Sequence, residues 1–106
     1  MGTPQRVPPE RAAELYGATI TLTAAAFAMP KAELLRSRGR HAVLARQTAM
    51  YILHVNKTLS YAAVARLFKY RSANTVVLAC AKIEDARDDA AFDALVTAIE
   101  DESNGR

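Results

Sequence analysis

Cysteine is almost absent. Cys80 stands alone, which excludes an internal disulfide and any cysteine-built zinc cluster and accords with a reducing cytosol. Tryptophan is missing, and aromatics are 7% of a chain that is 51% apolar, so the 106 residues can bury one modest core rather than several. No window holds 18 uninterrupted apolar residues, and the opening MGTPQRVPP is polar and proline-rich with no apolar h-region. A membrane span, a signal peptide and a transit helix are therefore not expected, and the expectation is a soluble cytoplasmic protein. Four scattered glycines cannot build a phosphate-cradling G-x-x-x-x-G-K-[ST] loop, so the chain is not read as an ATPase.

Acids are nearly missing from the middle of the chain. Residues 31–82 hold ten Lys or Arg against Glu33 alone, net +9. Residues 83–106 hold eight acids against Arg87 and Arg106, net −6, and the first thirty residues balance. One acid among eleven charges is a poor way to make an ordinary mixed surface. The asymmetry points to a polyanion-binding face on one part of the fold and a surface repelled by the same polyanion on another.

Proline and glycine punctuate only the ends and a few joints, so the interior reads as helical, with no strand and no internal repeat. Residues 1–9 read as a flexible arm, 10–101 as one helical domain, and 102–106 as a flexible tail. PPERAAEL is a helix start, with proline in the first turn and Glu10 near the positive end of the dipole. This helix is expected to reach about Ala28, its β-branched ATITLT stretch (residues 18–23) being the weakest part. Pro30 opens a short helix, KAELLR, that ends before SRGR. A long helix follows from near His41 to about Asn56, with Val43 or Leu44, Gln47, Met50, Tyr51, Leu53 and His54 at helical spacing.

Ser60 can cap the next helix, whose inward residues are Ala63, Val64, Leu67 and Phe68. KYR breaks the pattern, and Ser72 or Asn74 can cap again. Val76, Cys80 and Ile83 then make an i, i+4, i+7 apolar stripe, and Phe92, Leu95, Val96 and Ile99 mark an amphipathic helix in the acidic segment. Two helices of these lengths joined by three or four residues form a helix-turn-helix over about residues 60–89, whose second helix can lie in a DNA major groove. With Val76, Cys80 and Ile83 turned to the core, Ser72, Ala73, Asn74, Thr75, Leu78 and Lys82 are left at or near the open face. Short side chains there let the backbone approach the groove, and free N–H groups can meet a phosphate.

SRGRHAVLARQTAMYIL, LSYAAVARLF and RSANTVVLACAKIE resemble the C-terminal DNA-binding domain of the bacterial replication initiator DnaA, without a gap from about Ser37 to Glu84. The resemblance implies an all-α, Trp-repressor-like small helical bundle in which a basic loop reaches the minor groove ahead of the long helix. By position, Arg38 matches the loop arginine that enters the minor groove, with Arg40 beside it. Arg46 and Gln47 match residues at the DNA backbone, and Ser60 and Tyr61 start the first motif helix, also at phosphates. Family members carry Arg-Asp-His-Thr-Thr-Val where this chain has Arg71, Ser72, Ala73, Asn74, Thr75 and Val76. Lost base readers on a kept scaffold imply DNA binding without preference for the initiator's own box. Two glycines of the family's turn are replaced by Lys69, which adds a phosphate-seeking charge, and Tyr70, which can lie over a sugar or pack under the turn.

A stand-alone domain of this kind is also similar to the DnaA-like half of gene-transfer-agent activators of the GafA and GafY type. That similarity implies a sequence-specific regulator of transcription, an activator acting at double-stranded DNA with a second activator protein and the RNA polymerase machinery. A modulator of replication initiation and a protein-interaction module are the alternatives. No catalytic group, cofactor, metal, membrane or small-molecule substrate is expected. His41 and His54 have no companion ligands and read as core or surface histidines. Cys80 reads as a small core hydrophobe. Asp85, Asp88, Asp89 and Asp93 have no apolar surroundings to tune them and read as a solvated face. The acidic helix either closes the core or offers a docking face.

Overall fold

The computed structural model describes residues 7–105. Six helices follow one another: α1 (Pro9–Ala26), α2 (Lys31–Arg36), α3 (Arg40–Val55), α4 (Tyr61–Leu67), α5 (Ala73–Ala86) and α6 (Ala90–Ser103). There is no strand among the described residues. The expected arm over residues 1–9 lies mostly outside the described residues. Within them, Val7 already packs against the core and Pro9 is the first residue of α1. At the other end α6 continues beyond residue 101 to Ser103.

α3 is the central element, packed by α1, α2, α4 and α5, while α4 lies along α5 and α6 lies on α1. Its most buried line is Ala42, Ala45, Ala49 and Ile52, each at 1% exposure or less. The larger Val43, Leu44, Gln47 and His54 are only half-buried. Alanine is where neighbouring helices come closest, because helix separation is set by side-chain size at the contact. The β-branched stretch of α1 is held by the same packing: Thr19, Ile20 and Thr23 are buried, so Ile20 and the threonine methyls gain from leaving water, while the Thr19 and Thr23 hydroxyls are buried without a hydrogen-bond partner and offset part of that gain.

Three of the chain's turns are made without glycine. Ala28, Thr58 and Lys69 each take a positive φ, of 56°, 61° and 63°. α1 therefore stops at Ala26, two residues before the sequence expectation. Ala28 N–H bonds to Ala25 O at 3.1 Å and Met29 N–H to Ala24 O at 3.0 Å, closing the last turn on its own carbonyls. α4 ends the same way, with Lys69 N–H on Arg66 O at 3.0 Å and Tyr70 N–H on Ala65 O at 2.8 Å.

α6 closes the core. Val96 and Ile99 are buried, and Phe92 and Leu95 pack against the same cluster. Asp89 caps the helix by accepting from Phe92 N–H at 2.8 Å. Lys57 Nζ donates to Ser103 O at 3.0 Å, placing a cation at the negative end of the α6 dipole.

Arg87 ties the end of α5 to α6 and α3. It donates to Asp93, to both Glu100 oxygens (3.2 and 3.3 Å), to Thr97 Oγ1 (3.0 Å) and to Tyr51 OH (3.3 Å). Burial alone would lower its pKa, but the hydrogen bonds to Glu100, Asp93 and Tyr51 raise it, so the guanidinium stays charged. Tyr51 OH in turn donates to Glu84 at 2.9 Å. Burial, then that hydrogen bond, raises the phenol's pKa.

Candidate nucleic-acid interface

α4 and α5 form the helix-turn-helix, and hydroxyl caps start both helices. Ser60 Oγ accepts from Ala63 N–H and Ser72 Oγ accepts from Asn74 N–H, both at 3.1 Å. Of the two capping residues left open by the sequence at the start of α5, Ser72 is the one used. Val76, Cys80 and Ile83 are buried as their spacing implies, and this fixes the rotation of α5 about its axis. Arg71, Ser72, Asn74, Thr75, Leu78 and Lys82 are exposed, and Ala73 is half-buried. The open side of α5 thus begins with short polar groups, carries the cation of Lys82 further on and ends at the exposed Asp85.

The turn before it is built on aromatic packing. Tyr70 stacks on Phe68 with ring centroids 5.9 Å apart, and Tyr16 of α1 meets Phe68 edge-on at 5.2 Å. Tyr70 therefore packs under the turn, one of its two sequence alternatives, whereas Lys69 is exposed.

Ahead of α3, Ser37 Oγ accepts from Gly39 N–H at 3.0 Å, which folds the SRGR loop tightly over its own first residue. Arg46 holds this loop from below: its Nη1 donates to Leu34 O at 2.6 Å and to Ser37 O at 3.1 Å. These are carbonyls left open at the end of α2, so one guanidinium both caps α2 and anchors the loop that carries Arg38. The resemblance to the family placed Arg46 at the DNA backbone and gave no sign of this inward role. Gln47, next to it, is half-buried, and its Oε1 is buried without a hydrogen-bond partner.

Arg38, Arg40 and His41 line one open cleft with Val43, Leu44 and Lys82. The basic loop before α3 and the second half of α5, 42 to 44 residues apart in the chain, are thereby brought together. At the near end of the motif, His54 stacks on Tyr61 with centroids 3.9 Å apart and an interplanar angle of 17°. His54 Nδ1 also sits 2.8 Å from Leu59 O. The stack sets Tyr61 at the start of α4, and sequence spacing could not show it, because the two residues lie on different helices. His41 is likewise engaged internally, with Nε2 3.0 Å from Phe27 O. Burial pushes the Cys80 thiol up to about 11, so it remains a neutral core group at ordinary pH.

Among the described residues no helix is long and apolar enough to cross a membrane, and no three His, Cys, Asp or Glu side chains are grouped to hold a metal.

A small all-helical bundle with a capped helix-turn-helix, an open second helix and a cationic cleft beside it is the framework of a DNA-binding domain. A model of the family described as the bacterial dnaA protein helix-turn-helix matches residues 18–83, well over half of the chain, and the chain belongs to that family. The match takes in the second half of α1 and all of α2, upstream of the stretch from Ser37 to Glu84. No curated protein and no solved structure gave a match.

Proposed function

We propose that this chain is a sequence-specific regulator of transcription that binds double-stranded DNA through Arg38, Arg40, Arg46, Gln47, Ser60, Tyr61, Lys69, Arg71, Ser72, Ala73, Asn74, Thr75 and Lys82. The observation that carries the reading is the convergence of Arg38, Arg40 and Lys82 on one cleft beside the exposed side of α5. In this reading α5 lies in the major groove and Arg38 reaches the neighbouring minor groove. The cleft takes the phosphates of the strand that separates the two. Arg46 serves by fixing the loop, and its remaining N–H groups meet the backbone.

The regulator acts as an activator of gene-transfer-agent type, together with a second activator protein and the polymerase machinery. Support for a partner comes from the charge division. Acids gather at the end of α5 and on α6, where phosphates are repelled and a protein is not. Genome-wide occupancy tests the proposal. Peaks upstream of promoters are expected, and loss of the protein should lower transcription of the genes behind them. Peaks confined to replication origins would favour the initiation-modulator reading, since the family is that of the initiator. No peaks at all would leave an interaction module.

A further inference from the structure

Leu78 is 62% exposed and Val55 48%, the two most open large apolar side chains among the described residues. A lone exposed leucine needs no explanation by itself. The position of Leu78 sets it apart. It follows Asn74 by four residues and Thr75 by three, and it precedes Lys82 by four, so all four share one side of α5. Val76, Cys80 and Ile83 hold the other side in the core. Ala81, alongside, is also exposed and too short to shield it. Leu78 therefore lies between the polar start of α5 and the cationic cleft of Lys82, Arg38 and Arg40.

With the start of α5 at base edges and the cleft on phosphates, a side chain between them faces the major groove. The groove offers donors and acceptors at every base pair but only one apolar group, the C5 methyl of thymine. We infer that Leu78 is a specificity-determining residue that packs on a thymine methyl. Here an apolar contact joins the polar Asn74 and Thr75, since Ser72 is engaged as a cap and Ala73 carries no polar group. Cytosine at the same place presents an amino donor and no methyl, leaving the leucine against a polar edge. The inference rests on α5 being the recognition helix, and its test separates the two.

A binding site is selected from randomised duplexes, and each thymine is then replaced in turn by deoxyuridine, which lacks only the methyl. For the parent protein one replacement should weaken binding about fourfold, the equivalent of one buried methyl group at about 0.8 kcal/mol. Leu78→Ala should weaken binding to the intact site by a similar factor and lose that deoxyuridine effect, while Leu78→Met should keep it. Because Leu78 is exposed, Leu78→Ala should melt with the parent. Identical deoxyuridine profiles for parent and Leu78→Ala overturn the inference and leave DNA binding standing. So does a Leu78→Ala protein with unchanged DNA affinity but reduced promoter activity, which would put Leu78 against a protein. Failure to select any duplex removes the DNA-binding reading itself.

Discussion

Replacing Lys69 by glycine should make the protein more stable and a weaker DNA binder at once. Lys69 holds φ at +63° at the end of α4, a conformation that costs an L-residue roughly 1–2 kcal/mol. Its hydrogen bond to Arg66 O, and that of Tyr70 to Ala65 O, keep it there. Glycine removes the strain but has a freer unfolded chain, which takes back about 0.4–1 kcal/mol. At mid-range a net gain of about 0.8 kcal/mol remains, a rise of roughly 3–6 °C in melting temperature for a domain of this size. Lys69→Ala keeps the strain, so it should melt close to the parent. Both variants lose one cation at the turn. With about five or six phosphates neutralised, the parent's log affinity should fall with log salt at a slope of about −5, and either variant should be shallower by about 0.9. Thermal melting and binding titrations across salt concentrations check both halves. If Lys69→Gly is no more stable than Lys69→Ala, the strain argument fails. If both slopes equal the parent's, Lys69 is not at the DNA.

Two arginines of the same loop region should separate cleanly. Arg38→Ala should leave stability within about 0.5 kcal/mol of the parent and cost about 1–3 kcal/mol in binding, relaxing preference for a narrow A·T-rich edge. Arg46→Ala, which unmakes two charged hydrogen bonds to carbonyls, should lower stability by about 2 kcal/mol as well as weakening binding, as paired melts and titrations would show. The double change Ser72→Asp with Ala73→His should move the selected consensus toward the initiator's box while keeping the α5 cap, and an unchanged consensus would mean a different seat in the groove. Removing residues 90–106 should expose the buried partners of Val96 and Ile99, lowering the melting temperature and, through loss of fold, DNA affinity. A truncated protein with the parent's melt and promoter activity would refute this. The raised Cys80 pKa gives stability that is present below pH 9, where the unfolded thiol is still protonated. It is lost as pH rises toward about 11, so denaturant midpoints should fall across that window more in the parent than in Cys80→Ala.

Much of this protein was legible in the order of its residues because the deciding signals are local. Pro9, Pro30, Ser60 and Ser72 mark helix starts by what their own backbone and hydroxyl groups can do. The spacing of Val76, Cys80 and Ile83 fixes which side of α5 is open, since helical geometry alone relates residues four and seven apart. The charge division is a property of composition. Tertiary structure decided whatever depends on residues distant in the chain. Alanines 42, 45 and 49 became the heart of α3 because neighbouring helices close on the smallest side chains, which hydrophobicity ranks below leucine. Arg46 turned inward because the folded α2 leaves carbonyls within its reach. Tyr70 went under the turn because Phe68 and Tyr16 are there to receive it. Arg38 and Arg40 share a cleft with Lys82 only because α3 packs on α5, and no pattern within either segment encodes that neighbourhood.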